Sequence, residues 1–365
     1  MKLHRSPRTA LALTALAATA FGVSACGSAA GSSGSSSSSV GVTLILKTLS
    51  NPYFVTMEND AKSEAKKDGV NLTVAAGTSD GDTQSQITAI DNAISRGDKG
   101  ILITTNGNAV NSALNQARQA GLYVIALDTA PTPANVADIT YATDNTAAGK
   151  LDGQAAAATL GGKKAVIAML DLYNTQVVSV DIDRDHGFLE GMGINPGSST
   201  QNGQEAKSGS YTGGSGGSYQ IACQQPTQGA IDGGRTAMED CLSANPDINV
   251  VYAINEPAAE GAYAALKAAG KTSGVKVYAI DGSCQGIGLV ASGEFAADAV
   301  QYPGKMASLG VDSIAKLAKG GTKPSTSTGL DFYNTGTALV TANPISGVTS
   351  ETVTQGNAAC WGQTS

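Results

Sequence analysis

Histidine is almost missing from this 365-residue chain, which has only His4 and His186. If His4 sits in a removed leader, a zinc centre or a histidine-dependent nucleophilic triad would rest on His186 alone. The five cysteines show no Cys-x-x-Cys spacing of the kind that holds metal, so no metal is expected. Cations are few, 23 Lys and Arg against 30 Asp and Glu, and a nucleic-acid binder needs a basic face. No P-loop or dinucleotide glycine fingerprint follows a predicted strand, so no cofactor is expected. Gly213-Gly214-Ser215-Gly216-Gly217 has the letters of a nucleophile elbow, but it lies in a low-complexity run with no strand before it. Beyond the N-terminus no apolar run reaches membrane-spanning length. These absences argue against an enzyme and against nucleic acid as a partner.

The N-terminus carries a targeting pattern. Lys2, Arg5 and Arg8 are followed by a short apolar stretch, Leu11 to Gly22, and then by Val23-Ser24-Ala25-Cys26. This order resembles the lipobox of bacterial lipoproteins. The resemblance implies a signal peptide over residues 1–25, acylation of Cys26 and anchoring at the outer face of the cell membrane; ordinary secretory cleavage nearby is the alternative. Residues 26–40, rich in Ser and Gly, read as a flexible tether. Removing residues 1–25 takes three cations and no acid, moving the formal charge from −7 to −10. Cys223, Cys241, Cys284 and Cys360 then remain and suit an oxidising exterior. They allow three disulfide pairings. Cys223–Cys241, closing a short loop, and Cys284–Cys360, tying the tail to the body, are favoured.

At 41% hydrophobic residues the chain is globular in class. Val42, Leu44 and Leu46 mark a strand, Ser50-Asn51-Pro52 a turn, and Tyr53, Phe54, Met57, Ala61 and Ala65 recur at helical spacing. Strands at 72–76, 100–104 and 123–127 alternate with helices at 82–96 and 109–120. The alternation resumes with helices at 147–160, 184–192, 232–245, 257–269 and 304–319, and strands at 164–170, 250–254, 275–280, 294–300 and 337–340. Such alternation predicts two α/β lobes with doubly wound parallel sheets. Crossings between lobes near 143, 302 and 335 would make a three-strand hinge. The lobes would then comprise 41–143 with 302–335, and 144–301 with 336–365. The Gly/Ser-rich stretch 197–218 reads as an exposed insertion that adds little core.

The ordered series of motifs resembles the sugar-binding proteins of bacterial ABC importers, of the ribose-binding type (type I periplasmic binding proteins). Asn51-Pro52-Tyr53-Phe54, Val124 to Asp128, Tyr141 to Asn145, Arg184 before His186-Gly187-Phe188, Asn255-Glu256, Asp281-Gly282 and Gln301 before Pro303 carry the likeness. A narrower likeness is to the fructose-binding branch, through Leu46-Lys47-Thr48, Arg96 to Thr104, Gly233 to Glu239 and Cys360-Trp361-Gly362. That branch is similar in having cysteine both in the Asp-Gly-x-Cys turn and in the terminal Cys-Trp-Gly, which supports Cys284–Cys360. Thr129 and Ile280 stand where ribose binders place arginine and phenylalanine.

A sugar needs groups that each engage two hydroxyls, plus flat apolar walls. Asp128 and Asp281 end strands at the expected crevice and can accept; Arg184 offers a planar fork of donors. Asp128 could instead cap a helix, Asp281 serve its turn, and Arg184 pair with Asp181 or Asp185. Asn51 and Asn255 suit both capping and ligand contact. Tyr53 and Phe54 supply aromatic faces or core, and Lys47 a donor or a solvated charge. The resemblance adds Gln301. It implies a monomer that binds a monosaccharide, fructose first, and delivers it to an ABC permease. A sugar-sensing receptor component is the alternative. A repressor of this architecture would carry a helix-turn-helix domain ahead of the first lobe, where this chain has a leader and a serine tether.

Overall fold

The computed structural model describes residues 39–174 and 176–362. The leader over residues 1–25, the lipid site Cys26 and the tether up to residue 38 lie outside the described residues.

In β1 (Val40–Leu46) the side chains of Val42, Leu44 and Leu46 enter one apolar layer while Ile45 enters another. A strand covered on both faces belongs in the middle of a parallel sheet. The chain continues through α1 (Pro52–Asp68), β2 (Val70–Ala76), α2 (Thr83–Arg96), β3 (Gly100–Ile103), α3 (Asn111–Gln119), β4 (Tyr123–Leu127) and β5 (Ile139–Ala142). The strands pair in parallel in the order β2-β1-β3-β4-β5. Asn51 caps α1 by accepting from the Tyr53 N–H at 2.9 Å, and Pro52 occupies the first turn.

The second lobe is built from α4 (Asn145–Leu160), β6 (Ala165–Asp171), α5 (Ser179–Met192), β7 (Ser208–Tyr211), β8 (Gly217–Pro226), α6 (Ile231–Ala244), β9 (Val250–Ala253), α7 (Glu256–Ala268), β10 (Lys276–Asp281), α8 (Cys284–Ser292) and β11 (Ala297–Val300). Its parallel core runs β8-β6-β9-β10-β11, the same winding as the first lobe. In each sheet the winding reverses beside the first strand, and the crevice outside the carboxyl ends at that point is where such sheets hold ligands. Helices α4 and α5 touch backbone to backbone. A Cβ on Gly149 would lie 2.1 Å from the Arg184 carbonyl oxygen, and one on Gly187 2.3 Å from that of Thr146.

The chain passes between sheets three times: from β5 to α4, from β11 to α9 (Pro303–Ala318), and from β12 (Tyr333–Asn334), which pairs with β5, to β13 (Ala338–Thr341), which pairs with β11. A short β14 (Glu351–Thr352) and α10 (Val353–Ala359) finish the second lobe. Disulfides join Cys223 to Cys241 and Cys284 to Cys360, with Cα separations of 5.5 and 4.9 Å. None of the described helices is long and apolar enough to cross a membrane.

The 197–218 stretch departs in part from expectation. It supplies β7 and the start of β8, an antiparallel hairpin on the edge of the second sheet. Tyr211 is only 1% exposed and joins the core with Tyr219. Gly214 and Gly216, both at positive φ, turn the hairpin, so the stretch is largely exposed as expected but contributes Tyr211 to the core.

Candidate functional site

Lys47 follows β1, Asp128 follows β4, Asn255 follows β9 and Asp281 ends β10, so all four stand at carboxyl ends of strands. Asn51, Tyr53 and Phe54 come from the start of α1, Arg184 from α5, and Gln301 from the second crossing. These nine residues line one chamber between the lobes. The centre of a water molecule can range over about 30 Å³ of it. Extended by a water radius all round, that is a space on the order of 150 Å³. Pockets for drug-sized ligands run to roughly 300–1,000 Å³, so the chamber suits one small ring.

Two carboxylates face one guanidinium. Arg184, 4% exposed, has Nη2 3.9 Å from Asp128 Oδ1 and Nη1 3.8 Å from Asp281 Oδ1. Two of its five N–H groups are committed: Nε donates to Asn145 Oδ1 at 2.8 Å and Nη1 to the Ile254 carbonyl at 2.9 Å. Arg184 therefore reaches across the lobes to Asp128, and its ion pairs are with Asp128 and Asp281 rather than its helix neighbours. Lys47 Nζ lies 3.8 Å from Asp128 Oδ2 and 5.9 Å from the Phe54 ring centre.

Asp128 starts no helix. It sits in the left-handed region, φ +62°, a strained setting of the kind found at functional sites. The Tyr53 hydroxyl donates to its Oδ1 at 3.1 Å and the Thr129 hydroxyl to its Oδ2 at 2.7 Å. Asp281 accepts from Gln301 Nε2 at 2.7 Å and from the Glu256 N–H at 3.3 Å. Burial pushes the Asp281 carboxyl up to about 8, outweighing the pull of Arg184. Burial, then Asp128, raises the Tyr53 hydroxyl well above its ordinary value, keeping it a donor.

Asn51 and Asn255 both cap helices. Asn255 Oδ1 accepts from the Ala258 N–H at 3.0 Å and its Nδ2 donates to the Gly229 carbonyl at 3.1 Å, so its side chain is largely committed within the lobe. Gln301 also accepts from the Thr143 hydroxyl at 3.1 Å, linking two of the three crossings. Trp361 packs edge-on against Tyr53, ring centres 5.4 Å apart, and its Nε1 donates to the Asp281 carbonyl.

Four further residues line the chamber: Asp80, Leu172, Val180 and Ile254. The three apolar ones carry no distinguishing signal in the sequence. Asp80 stands in the turn after β2, beside β1 in the sheet, a place it shares with Asp82. With Lys47 and Arg184 as cations, and Asp80, Asp128 and Asp281 as acids of which Asp281 is pushed to about 8, the chamber is close to charge-balanced. Such a site accommodates an uncharged molecule bearing several donors and acceptors.

The periplasmic binding protein domain family model matches residues 41–322. The ribose import binding protein of Escherichia coli (strain K12) is 30% identical over 280 residues, 76% of this chain and 85% of that protein. The D-allose-binding periplasmic protein of the same organism is 26% identical over 289 residues, 76% of this chain and 84% of that protein. A crystal structure from Mycobacterium smegmatis in complex with β-D-fucofuranose is 25% identical, with a TM-score of 0.67, covering 79% of this chain and 88% of that one.

Proposed function

The chain belongs to the periplasmic binding protein domain family, and from that premise we propose that it captures a monosaccharide, fructose first, and delivers it to an ABC import permease. Lipidation at Cys26 would hold it, as a monomer, at the outer face of the cell membrane. Residues 41–143 with 302–335 would form one lobe and 144–301 with 336–365 the other. The observation that carries the reading is the chamber itself: Lys47, Asn51, Tyr53, Phe54, Asp128, Arg184, Asn255, Asp281 and Gln301 converge on a single-ring volume. Its mix of carboxylates, amides, one guanidinium and aromatic walls matches the hydroxyl edges and C–H faces of a sugar.

Relatives named for ribose and allose support a monosaccharide. Fructose is put first by the likeness to the fructose-binding branch; Thr129 and Ile280, which stand where ribose binders place arginine and phenylalanine, are buried outside the chamber lining, Thr129 bonding Asp128 through its hydroxyl and Ile280 lying in the core. Capture follows hinge closure, driven by the ligand's preference for the closed state.

The test is a thermal-shift screen of the chain against monosaccharides. A ligand at a hundredfold excess over its dissociation constant adds ~2.7 kcal/mol of apparent stability. The largest shift with fructose is expected. A larger shift with ribose, xylose or galactose would reject fructose and keep a sugar; no shift with any monosaccharide would reject the sugar.

A further inference from the structure

The turn after β2 brings an acid into the chamber that the residues above do not account for. Asp80 lines the inner chamber and also a wider outer groove, over which the centre of a water molecule can range through about 520 Å³. Asn51 and Asp281 are likewise common to both spaces, so Asp80 stands at the throat between them. Its Oδ1 is buried without a hydrogen-bond partner among the described residues. A buried acceptor left unmade is costly, so a group that satisfies it on binding recovers that cost.

The turn holds Asp80 firmly. Thr78 donates to Asp82 Oδ2 from its N–H at 3.0 Å and its hydroxyl at 2.8 Å. Gly81, at φ +87°, donates its N–H to Asn106 Oδ1 at 3.0 Å, and Asn106 Nδ2 returns to the Asp82 carbonyl at 3.2 Å. Asp82 is thus the residue that caps α2, which leaves the Asp80 carboxylate free of that duty.

Across the cleft the carboxylate meets the other lobe. A Cβ built on Gly229 would lie 3.5 Å from Asp80 Oδ2, so the glycine leaves room for the acid. Tyr173, also of the second lobe, has a buried hydroxyl with no partner among the described residues, raised in pKa by burial and then by Asp80. An orphaned acceptor from one lobe and an orphaned hydroxyl from the other thus lie close enough for the Asp80 charge to act on the tyrosine. Burial also raises the Asp80 carboxyl, with Lys47 pulling it back.

We propose that Asp80 is a specificity-determining residue that accepts a hydrogen bond from a sugar hydroxyl at the throat, on the N-terminal-lobe side. This rests on the sugar-binding reading above. It follows that the sugar is read from both lobes, by Asp281 with Arg184 on one side and by Asp80 on the other.

The test is calorimetric titration of the full-length chain and of Asp80→Asn with the best-binding monosaccharide and its set of singly deoxygenated analogues. Asn keeps the shape and removes the charge. For the parent sugar, Asp80→Asn should weaken binding about ten- to hundredfold, the range of a hydrogen bond to a charged group. For one deoxy analogue the variant and wild type should bind alike, because that hydroxyl is the one Asp80 reads. A uniform loss with every analogue would mean that Asp80 only balances Lys47, and would overturn the proposal. So would parent-sugar binding within about twofold of wild type. Asp80→Glu provides a second variant if the first folds poorly, its longer acid expected to reorder the sugars; an unchanged order overturns the proposal. Wild-type chain that binds no monosaccharide overturns this proposal and the sugar reading together, whereas the failures just described leave the sugar reading standing.

Discussion

Replacing Arg184 with glutamine separates the charge function of this residue from its hydrogen bonds. Glutamine can still donate one bond toward Asn145 or the Ile254 carbonyl, but the cation between Asp128 and Asp281 is gone. At an effective dielectric of about 20, one pair near 4 Å is worth about 4 kcal/mol before desolvation is charged against it. Removing one partner of a buried pair costs about 3–5 kcal/mol net. Arg184 and Asp281 belong to the same lobe, so their share of the loss appears in the free chain. Asp128 belongs to the other lobe, so its share appears on closure. At pH 9 unfolding free energy should fall by about 3 kcal/mol, and sugar affinity by about a hundredfold. The pH dependence gives a sharper test. Asp281 is pushed up to about 8 with Arg184 pulling it down, so the variant's carboxyl goes higher. A carboxyl raised in the folded state contributes stability that is complete below its unfolded pKa of about 4 and is lost as pH rises through the folded value. At pH 5 Asp281 is protonated in both proteins and its share of the deficit vanishes; above pH 8 wild type ionises beside Arg184 and the variant cannot do so cheaply. Urea unfolding followed by circular dichroism at pH 5 and pH 9 should give the larger deficit at pH 9. An equal deficit at both values, or one under about 1 kcal/mol at pH 9, would refute the reasoning.

Two further outcomes follow from the fold. The disulfides close sequence separations of 76 and 18 residues, so chain entropy assigns about 4.5 kcal/mol to Cys284–Cys360 and about 3 kcal/mol to Cys223–Cys241; guanidinium midpoints of Cys360→Ser and Cys241→Ser should fall in that order, and the reverse order would contradict the loop-length account. Gly149→Ala forces a methyl to within 2.1 Å of the Arg184 carbonyl, so α5 must move; about 1–3 kcal/mol of stability should be lost together with sugar affinity, while Gly274→Ala, with nothing within 4 Å, should change neither.

The alternation of strand and helix was legible because both lobes are parallel sheets covered on two faces. Their strands are short apolar runs, and the intervening helices carry one clear apolar side, as Ile90 and Ala93 do in α2. The site was legible to the extent that it uses polar residues directly after apolar strands, as Asp128, Asn255 and Asp281 do. The hairpin of β7 and β8 was hidden because its tyrosines are separated by turn glycines and serines. Short α8 carries Gly286 and Gly288 within nine residues, and its place is fixed by tertiary contacts such as the disulfide at Cys284 rather than by local periodicity. Asp80 was hidden by its neighbour: the sequence Thr78-Ser79-Asp80-Gly81-Asp82 holds two acids in one polar turn, and residue type does not say which caps the helix and which faces the cleft.

The spacing of the charges explains why closure should require a ligand. Charge-assisted hydrogen bonds run to about 2.7–2.9 Å, yet Arg184 stands 3.9 Å from Asp128 and 3.8 Å from Asp281, and Lys47 stands 3.8 Å from Asp128. The groups are close enough to balance one another and too far apart to saturate one another's donors and acceptors. Gln301 holds Asp281 from one side and accepts from Thr143 on another crossing, so Asp281 cannot slide toward Arg184 without disturbing the hinge. Asp128 is held equally by Tyr53 and Thr129. Rigid carriers therefore keep these gaps open, and hydroxyl oxygens set between them can accept from the cations and donate to the acids at proper distances. An open form would lose the pairing of Arg184 with Asp128 and regain water on both. The ligand's differential contact with the closed form then decides the equilibrium, and a molecule lacking hydroxyls at these gaps would leave the lobes apart however well its carbon frame filled the chamber.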